Sequence, residues 1–301
     1  MSDFLEQMAA GSRSRLEEAR RARPEANLLQ RALATPRPPK LTASPARFDL
    51  IAELKLRSPA VGQLKSSGEN VAERVTTYAK AGAAAVSVLT EPSRFDGSMA
   101  HLETATQSLA SLNVPAMRKD FLVDPYQVIE ARVAGAGGVL IIVRMISRDG
   151  IEAMLDCARS LGLFVLLEAF DEADMEVMHD VISRRGTAAR AVAANASAAH
   201  GTALNATANS TAAPVLAGLN CRDLTTLQIV PQRLLDLAHL LPTSVPRVAE
   251  SGVASADDAA RVAAAGYEYA LVGSALMQGG DPSALAAAML TAGRTRARVQ
   301  P

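Results

Sequence analysis

Eight short apolar segments recur along the chain, each followed by a turn and a longer stretch of helical period. No other feature restricts the fold as strongly. The strand-like segments are FDLIAELK (48–55), AAVSVLTE (84–91), VPAMRKDF (114–121), GVLIIVRM (138–145), LFVLLEAF (163–170), VLAGLN (215–220), PRVAESG (246–252) and YALVGS (269–274). Between them lie helical segments such as NVAERVTTYAKAG, DPYQVIEARVAG, RDGIEAMLDCARSLG and SADDAARVAAAG. They end on Gly82, Gly135, Gly162 and Gly266, where a helix C-cap wants glycine. Asp124 and Ser255 stand at N-cap positions. Eight strand–helix units in about 250 residues predict a (β/α)8 barrel. A doubly wound open sheet is the alternative, and its dinucleotide-binding form needs a glycine fingerprint after the first strand. Here that strand is followed by LRSPAVGQLK, which does not match.

The rhythm divides the chain. Residues 1–47 read as an N-terminal helical extension, amphipathic over 3–21, with a Pro-rich connector TPRPPKLTASP at 35–45. Residues 48–301 read as the barrel. Within it, 187–213 is rich in Ala, Asn, Thr and Ser and far exceeds the usual helix-to-strand connection of about 2–6 residues. It is read as a low-complexity surface insertion before the sixth strand. Its three N-x-S/T matches, at Asn195, Asn205 and Asn209, are expected by chance in such a composition.

Composition removes several function classes. The 31 Lys and Arg balance 31 Asp and Glu, so no net field favours nucleic acid or an anionic membrane. Aromatic residues are 3% of the chain and Trp is absent, which argues against base-stacking platforms. Two Cys and four scattered His give neither a disulfide framework nor a metal-ligand spacing. The N-terminus has no apolar signal region, and no run of 18 apolar residues offers a membrane span. A reducing, cytoplasmic setting is the expectation.

In a barrel the active site forms at the C-terminal ends of the strands. Glu53 and Lys55 share a strand face, because side chains alternate with period two. The second strand ends in Glu91, the third in Lys119 and the fifth in Glu168. The sixth ends in Asn220 with Arg222 just beyond, and the seventh in Glu250-Ser251-Gly252. Charged groups at so many strand ends are costly in a core unless they converge on one cavity. Paired cations and carboxylates suit acid–base work on an anionic substrate. Small residues after the last two strands, at Gly252 and at Gly273-Ser274, mark a phosphate-binding position.

These residues lie within longer matches. IAELKLRSP, SVLTEPSRFDGS, RKDF followed by DPYQVIEA, LLEAFDEADM, LNCRDL, VAESGV and LVGSALM resemble the indole-3-glycerol-phosphate synthase family in order, spacing and strand placement. The resemblance runs from about residue 3 to 294, the insertion excepted. It implies a cofactor-free, metal-free ring closure of 1-(2-carboxyphenylamino)-1-deoxyribulose 5-phosphate to indole-3-glycerol phosphate, CO2 and water, in tryptophan biosynthesis. By that resemblance Lys119 is the general acid at the carbonyl oxygen and Lys55 a second cation near the substrate carboxylate. Glu168 and Glu53 are the proton acceptors, with their division of labour open, and Asn220 orients Glu168 or the substrate. Ser58, Glu250 and Ser251 belong to the binding pocket. Gly252, Gly273 and Ser274 bind phosphate by backbone N–H groups, with charge from Arg222. Phe95 and Phe121 form the apolar wall against the aromatic ring. The implied partner is this small phosphorylated molecule, with a monomer or other enzymes of the pathway compatible with it. Three positions depart from the family pattern: Val61 where Lys is common, Cys221 where Asn or Ser is common, and Phe170 where His is common. Other readings of the same charges are a phosphoribosylanthranilate isomerase, a Schiff-base aldolase using Lys55 or Lys119, and a catalytically silent barrel.

Overall fold

The computed structural model describes residues 3–59, 62–64, 70–200, 214–278 and 280–297, with the side chains of Asp3 and of 187–200 excepted. Eight parallel strands close into a barrel: β1 (Asp49–Leu54), β2 (Ala85–Leu89), β3 (Ala116–Lys119), β4 (Gly138–Ile142), β5 (Phe164–Ala169), β6 (Val215–Asn220), β7 (Arg247–Glu250) and β8 (Tyr269–Val272). Each strand pairs with its sequence neighbours, and β8 closes onto β1 through Asp49–Tyr269 to Ala52–Val272. All eight lie inside the segments expected from the sequence. Several are shorter at the C-terminal end, because polar strand ends leave the ladder to enter loops. After Ile142 the chain turns into a 3-10 helix over Val143–Met145, and after Val272 it turns into the helical turn Ser274–Met277.

Alternation along the strands creates two cores. Ile51, Ala85, Met117, Leu140, Leu166, Leu216, Val248 and Leu271 point into the barrel and pack together. Their neighbours Leu50, Ala52, Val86, Val139, Leu167, Ala217 and Val272 point outward beneath the helices. A one-residue slip would exchange the two sets, so register is strongly specified. Space inside is tight. The Phe164 ring fills the place that a side chain on Gly138 would need.

The outer ring includes α3 (Val71–Lys80), α4 (Met99–Ala110), α5 (Pro125–Val133), α6 (Arg148–Ser160), α7 (Glu172–His200), α8 (Ala256–Ala264) and α9 (Pro282–Ala297). The glycines that follow α3, α5, α6 and α8 have φ of 96°, 84°, 72° and 90°, a conformation that suits glycine. The Asp124 side chain accepts from Tyr126 N at 2.8 Å, and Ser255 Oγ accepts from Asp258 N at 3.1 Å, so both N-caps are in place. α7 runs through residue 200, into the segment read as an insertion, and 201–213 lie outside the described residues. Over its described side chains, Met175, Met178, Val181 and Ile182 are buried against the barrel.

Two helices precede the barrel, α1 (Asp3–Ala22) and α2 (Glu25–Ala34), where the sequence suggested one. α1 lies over the C-terminal mouth, with Leu5, Met8 and Ala9 joining the interior core. Polar contacts fix it there. Arg15 Nη2 donates to Asp120 at 2.9 Å, Arg20 Nη2 to Asp124 at 2.7 Å, and Gln127 Nε2 to Ser12 Oγ at 2.9 Å. Among the described residues, no helix is long and apolar enough to cross a membrane.

Candidate active site

The C-terminal mouth holds a cavity of about 790 Å3, its open mouth included. Lys119, Lys55, Glu168, Glu53, Asn220, Ser58, Phe95, Phe121, Arg222, Glu250 and Ser251 all line it. The three remaining candidates do not. Gly252 borders a separate groove with Pro231 and Val262. Gly273 is pressed against the Glu53 carboxylate, which occupies the place of its missing side chain. Ser274 opens the helical turn after β8.

Register explains the convergence. Glu53 on β1 pairs with Ser87, Lys119 is the last residue of β3, and Glu168 on β5 pairs with Gly218. Asn220 and Glu250 are partners across β6 and β7. Each has the parity of the interior set. Gly218 is required here for the reason that Gly273 is, because a β-carbon would collide with the Glu250 carboxylate.

The charges form two lysine–glutamate pairs. Lys55 Nζ lies 2.8 Å from Glu53 Oε1, and Lys119 Nζ lies 3.3 Å from Glu168 Oε2. Asn220 Nδ2 donates to the other Glu168 oxygen at 2.7 Å, and Asn220 Oδ1 accepts from Arg222 N at 3.0 Å. Both oxygens of Glu168 are therefore engaged. Glu53 Oε2 and both oxygens of Glu250 are buried without a protein partner.

Proton affinities follow from this packing. Burial pushes the Glu53 carboxyl up, but Lys55, Lys119 and Arg222 together hold it below its ordinary value. Burial opposes the Lys119 ammonium, yet Glu168, Glu250 and Glu53 raise it above the ordinary lysine value. Glu250 goes the other way. Burial and the charges of Glu168 and Glu53 push its carboxyl well above 4.5, against the pull of Lys119. The cavity thus combines a lysine that holds its proton more tightly than usual, a glutamate that holds it less tightly and a glutamate that holds it more tightly.

The remaining wall is apolar. Phe121 packs edge-on against Phe4, with ring centroids 5.9 Å apart, and tilted against Phe95 at 6.0 Å. Phe4, Leu5, Leu224 and Leu227 line the cavity but were not singled out in the sequence. The amphipathic pattern of α1 was visible, while the surface it covers depends on the Arg15 and Arg20 contacts. Phe170, flagged only as a departure, also lines the cavity, with the Arg144 guanidinium 5.1 Å from its ring centre. Glu91 is a correction. It is buried, but its carboxylate caps the helical turn Pro92–Phe95, accepting from Ser93 N at 2.8 Å and Arg94 N at 2.7 Å. It is not among the lining residues. Val61 lies outside the described residues, and Cys221 is buried beneath Gly252, with its thiol pushed up to about 11 by burial.

Among the described residues, no group of three or more His, Cys, Asp or Glu is placed to hold a metal ion. Solved structures with the same barrel include a 3-hexulose-6-phosphate synthase from Salmonella typhimurium, with a TM-score of 0.58 at 11% identity. The match covers 83% of this chain and 100% of that one. A thiamine phosphate pyrophosphorylase from Pyrococcus furiosus has a TM-score of 0.54 at 13% identity, over 83% and 98%. At these identities the likeness concerns the fold alone. Sequence relatives are closer. The indole-3-glycerol phosphate synthase of Parafrankia sp. (strain EAN1pec) is 36% identical over 291 residues, 96% of this chain and 96% of that protein. That of Nocardioides sp. (strain ATCC BAA-499 / JS614) is 39% identical over 281 residues, 92% and 94%. The family model described as indole-3-glycerol phosphate synthase matches residues 5–184 and 201–289. With matches of this extent, the chain belongs to the indole-3-glycerol phosphate synthase family.

Proposed function

We propose that the two lysine–glutamate pairs of this cavity perform the family's ring closure on 1-(2-carboxyphenylamino)-1-deoxyribulose 5-phosphate, without a cofactor. The reading makes the chain a carboxy-lyase of tryptophan biosynthesis. The observation that carries it is the pairing of Lys55 with Glu53 and of Lys119 with Glu168 across one cavity walled by Phe95 and Phe121.

The ring carbon bearing the carboxylate attacks the ketone carbon, and the carbonyl π electrons move to oxygen. Lys119 stabilises that developing charge and gives it a proton. Its raised proton affinity suits this task, since an alkoxide is a stronger base still. The bond to CO2 then breaks, and its electron pair returns to the ring. In the last step the new hydroxyl leaves as water with a proton from Lys55, while a carboxylate removes a proton from the adjacent carbon. Glu53 is the better candidate base, because its Oε2 is unpartnered while both Glu168 oxygens are engaged. Glu168 then fixes Lys119, and Asn220 fixes Glu168. One proton is taken up overall, balancing the carboxylate lost as CO2. Glu250, whose carboxyl has a raised proton affinity and whose oxygens have no protein partner, faces the cavity to bind a substrate hydroxyl, with Ser58 also on the cavity wall.

The phosphate is assigned to the ends of β7 and β8, at the backbone of Ser251, Gly252, Gly273 and Ser274, with Arg222 adding charge. Ser251 supports this, because it lines the cavity and opens a tight turn with Gly252, their φ values being 65° and 70°. The reading carries the expectation of a cytoplasmic protein acting as a monomer, and of 187–213 as an insertion dispensable for the chemistry. The test offers the purified protein both the carboxyphenylamino substrate and phosphoribosylanthranilate. Turnover of the first alone supports the reading. Isomerisation of the second with no indole product would overturn it.

A further inference from the structure

At the end of the barrel opposite this cavity lies a groove of about 1630 Å3, its open mouth included. Arg37, Lys40, Arg132 and Arg159 line it, together with apolar side chains that include Leu41 and Phe164. Phe164 opens β5, which places the groove at the N-terminal ends of the strands. No carboxylate lines it among the described residues. Arg159 has an exposed partner in Asp156 at 3.3 Å, and Asp156 is also shared with Arg185.

Arg132 is the unusual member. It is 3% exposed, and its Nη2 donates to Thr35 O at 2.7 Å. Its Nη1 is buried with no protein partner. A buried N–H without an acceptor is expensive, the more so on a charged group. Burial, and after it the nearby charge of Arg37, hold the guanidinium below the ordinary arginine value. Two like charges therefore face one another beside an unmet donor. The exposed ends of Arg37 and Lys40 extend the same sign to the rim. Nothing in the proposed ring closure uses any of these residues.

We propose that this groove is a second anion site that takes a phosphomonoester dianion. Phosphate oxygens would meet the Arg132, Arg37 and Lys40 donors, and the organic part would lie on the apolar side chains of Leu33 and Leu41. A dianion suits three converging cations better than a single carboxylate does. Planar guanidinium groups bind phosphate through two donors at once.

The experiment titrates inorganic phosphate into the full-length protein by calorimetry and repeats it with the double variant Arg37→Glu, Lys40→Glu. Both positions are exposed, so folding is spared, and Arg132 keeps its bond to Thr35. The expected result is a weakening of at least about tenfold in one class of phosphate site, as charge-assisted donors are lost and reversed. Phosphate inhibition of turnover reports the other end of the barrel separately and should keep its constant. Overlapping isotherms for the two proteins would overturn the proposal. So would an equal rise in the inhibition constant, which would reveal a general field effect. The isotherms decide the matter even if the ring-closure reading fails.

Discussion

Replacing Lys119 by Met is the most informative single change in the cavity. The side chains have similar length and the apolar stem is kept, so the charge is what is removed. Lys119 lies 3.3 Å from Glu168 and is held protonated by Glu168, Glu250 and Glu53. At an effective dielectric of about 20, unit charges at that distance interact by about 5 kcal/mol. Much of that is offset by the desolvation that the lysine no longer pays. The catalytic loss is better judged from positioned donors at a developing oxyanion, about 2.7–4 kcal/mol, or roughly two to three orders of magnitude in turnover. The assay is the rise of indole fluorescence under saturating substrate, with kcat and KM read separately and the fold checked by circular dichroism. The loss should fall mainly on kcat, because the group acts where charge develops. Loss of the cation should also raise the proton affinities of Glu53 and Glu250, which Lys119 lowers in the parent, and move the acid limb of the pH profile upward. Turnover within threefold of the parent, with fold intact, would show that Lys119 is not the acid at the carbonyl oxygen.

The other expectations rest on separate features. Gly273→Ala places a methyl group where the Glu53 carboxylate lies, so it should cost roughly 1–3 kcal/mol of stability and lower turnover more than a mere loss of stability would explain; wild-type kinetics would show that Glu53 can move freely. Glu53→Gln should impair the dehydration step, and rapid-quench analysis should find a decarboxylated intermediate; its absence, with Glu168→Gln accumulating it instead, would reverse their roles. Glu250 has a folded-state pKa raised above 4.5, so its contribution is fully present below that pH and is lost as pH rises through the folded value. Glu250→Gln should therefore raise the melting temperature increasingly from about pH 5 upward and change it little below, and a gain confined to acid pH would contradict this. Replacing 189–211 with a Gly-Ser-Gly linker should shift the melting temperature by only a few degrees and spare activity, because loop closure costs little and Met175, Met178, Val181 and Ile182, which pack α7 on the barrel, are all kept.

The barrel was legible because its signal is repeated and redundant. Each strand alternates between two apolar environments, and each of four helices ends on a glycine that the backbone needs. The convergence of Glu53, Lys119, Glu168, Asn220 and Glu250 followed from strand parity once a barrel was assumed. Other features depend on contacts between distant segments. Nothing in residues 3–22 says that Phe4 and Leu5 will roof the cavity, since that follows from Arg15 meeting Asp120 and Arg20 meeting Asp124. Glu91 looked like its neighbours at the rim, but its acceptor capacity goes to the N–H groups of the turn that follows. Gly273 reads in sequence as room for a ligand, and the structure puts the Glu53 carboxylate in that room.

In the proposed chemistry this cavity couples ring closure to loss of CO2 through its own side chains. The direct measurement mixes the purified protein with 1-(2-carboxyphenylamino)-1-deoxyribulose 5-phosphate in the presence of EDTA and counts CO2 and indole product together. One CO2 should appear for each indole formed, at a rate unaffected by the chelator. CO2 release without indole, or a rate abolished by chelation and restored by a metal ion, would contradict this chemistry.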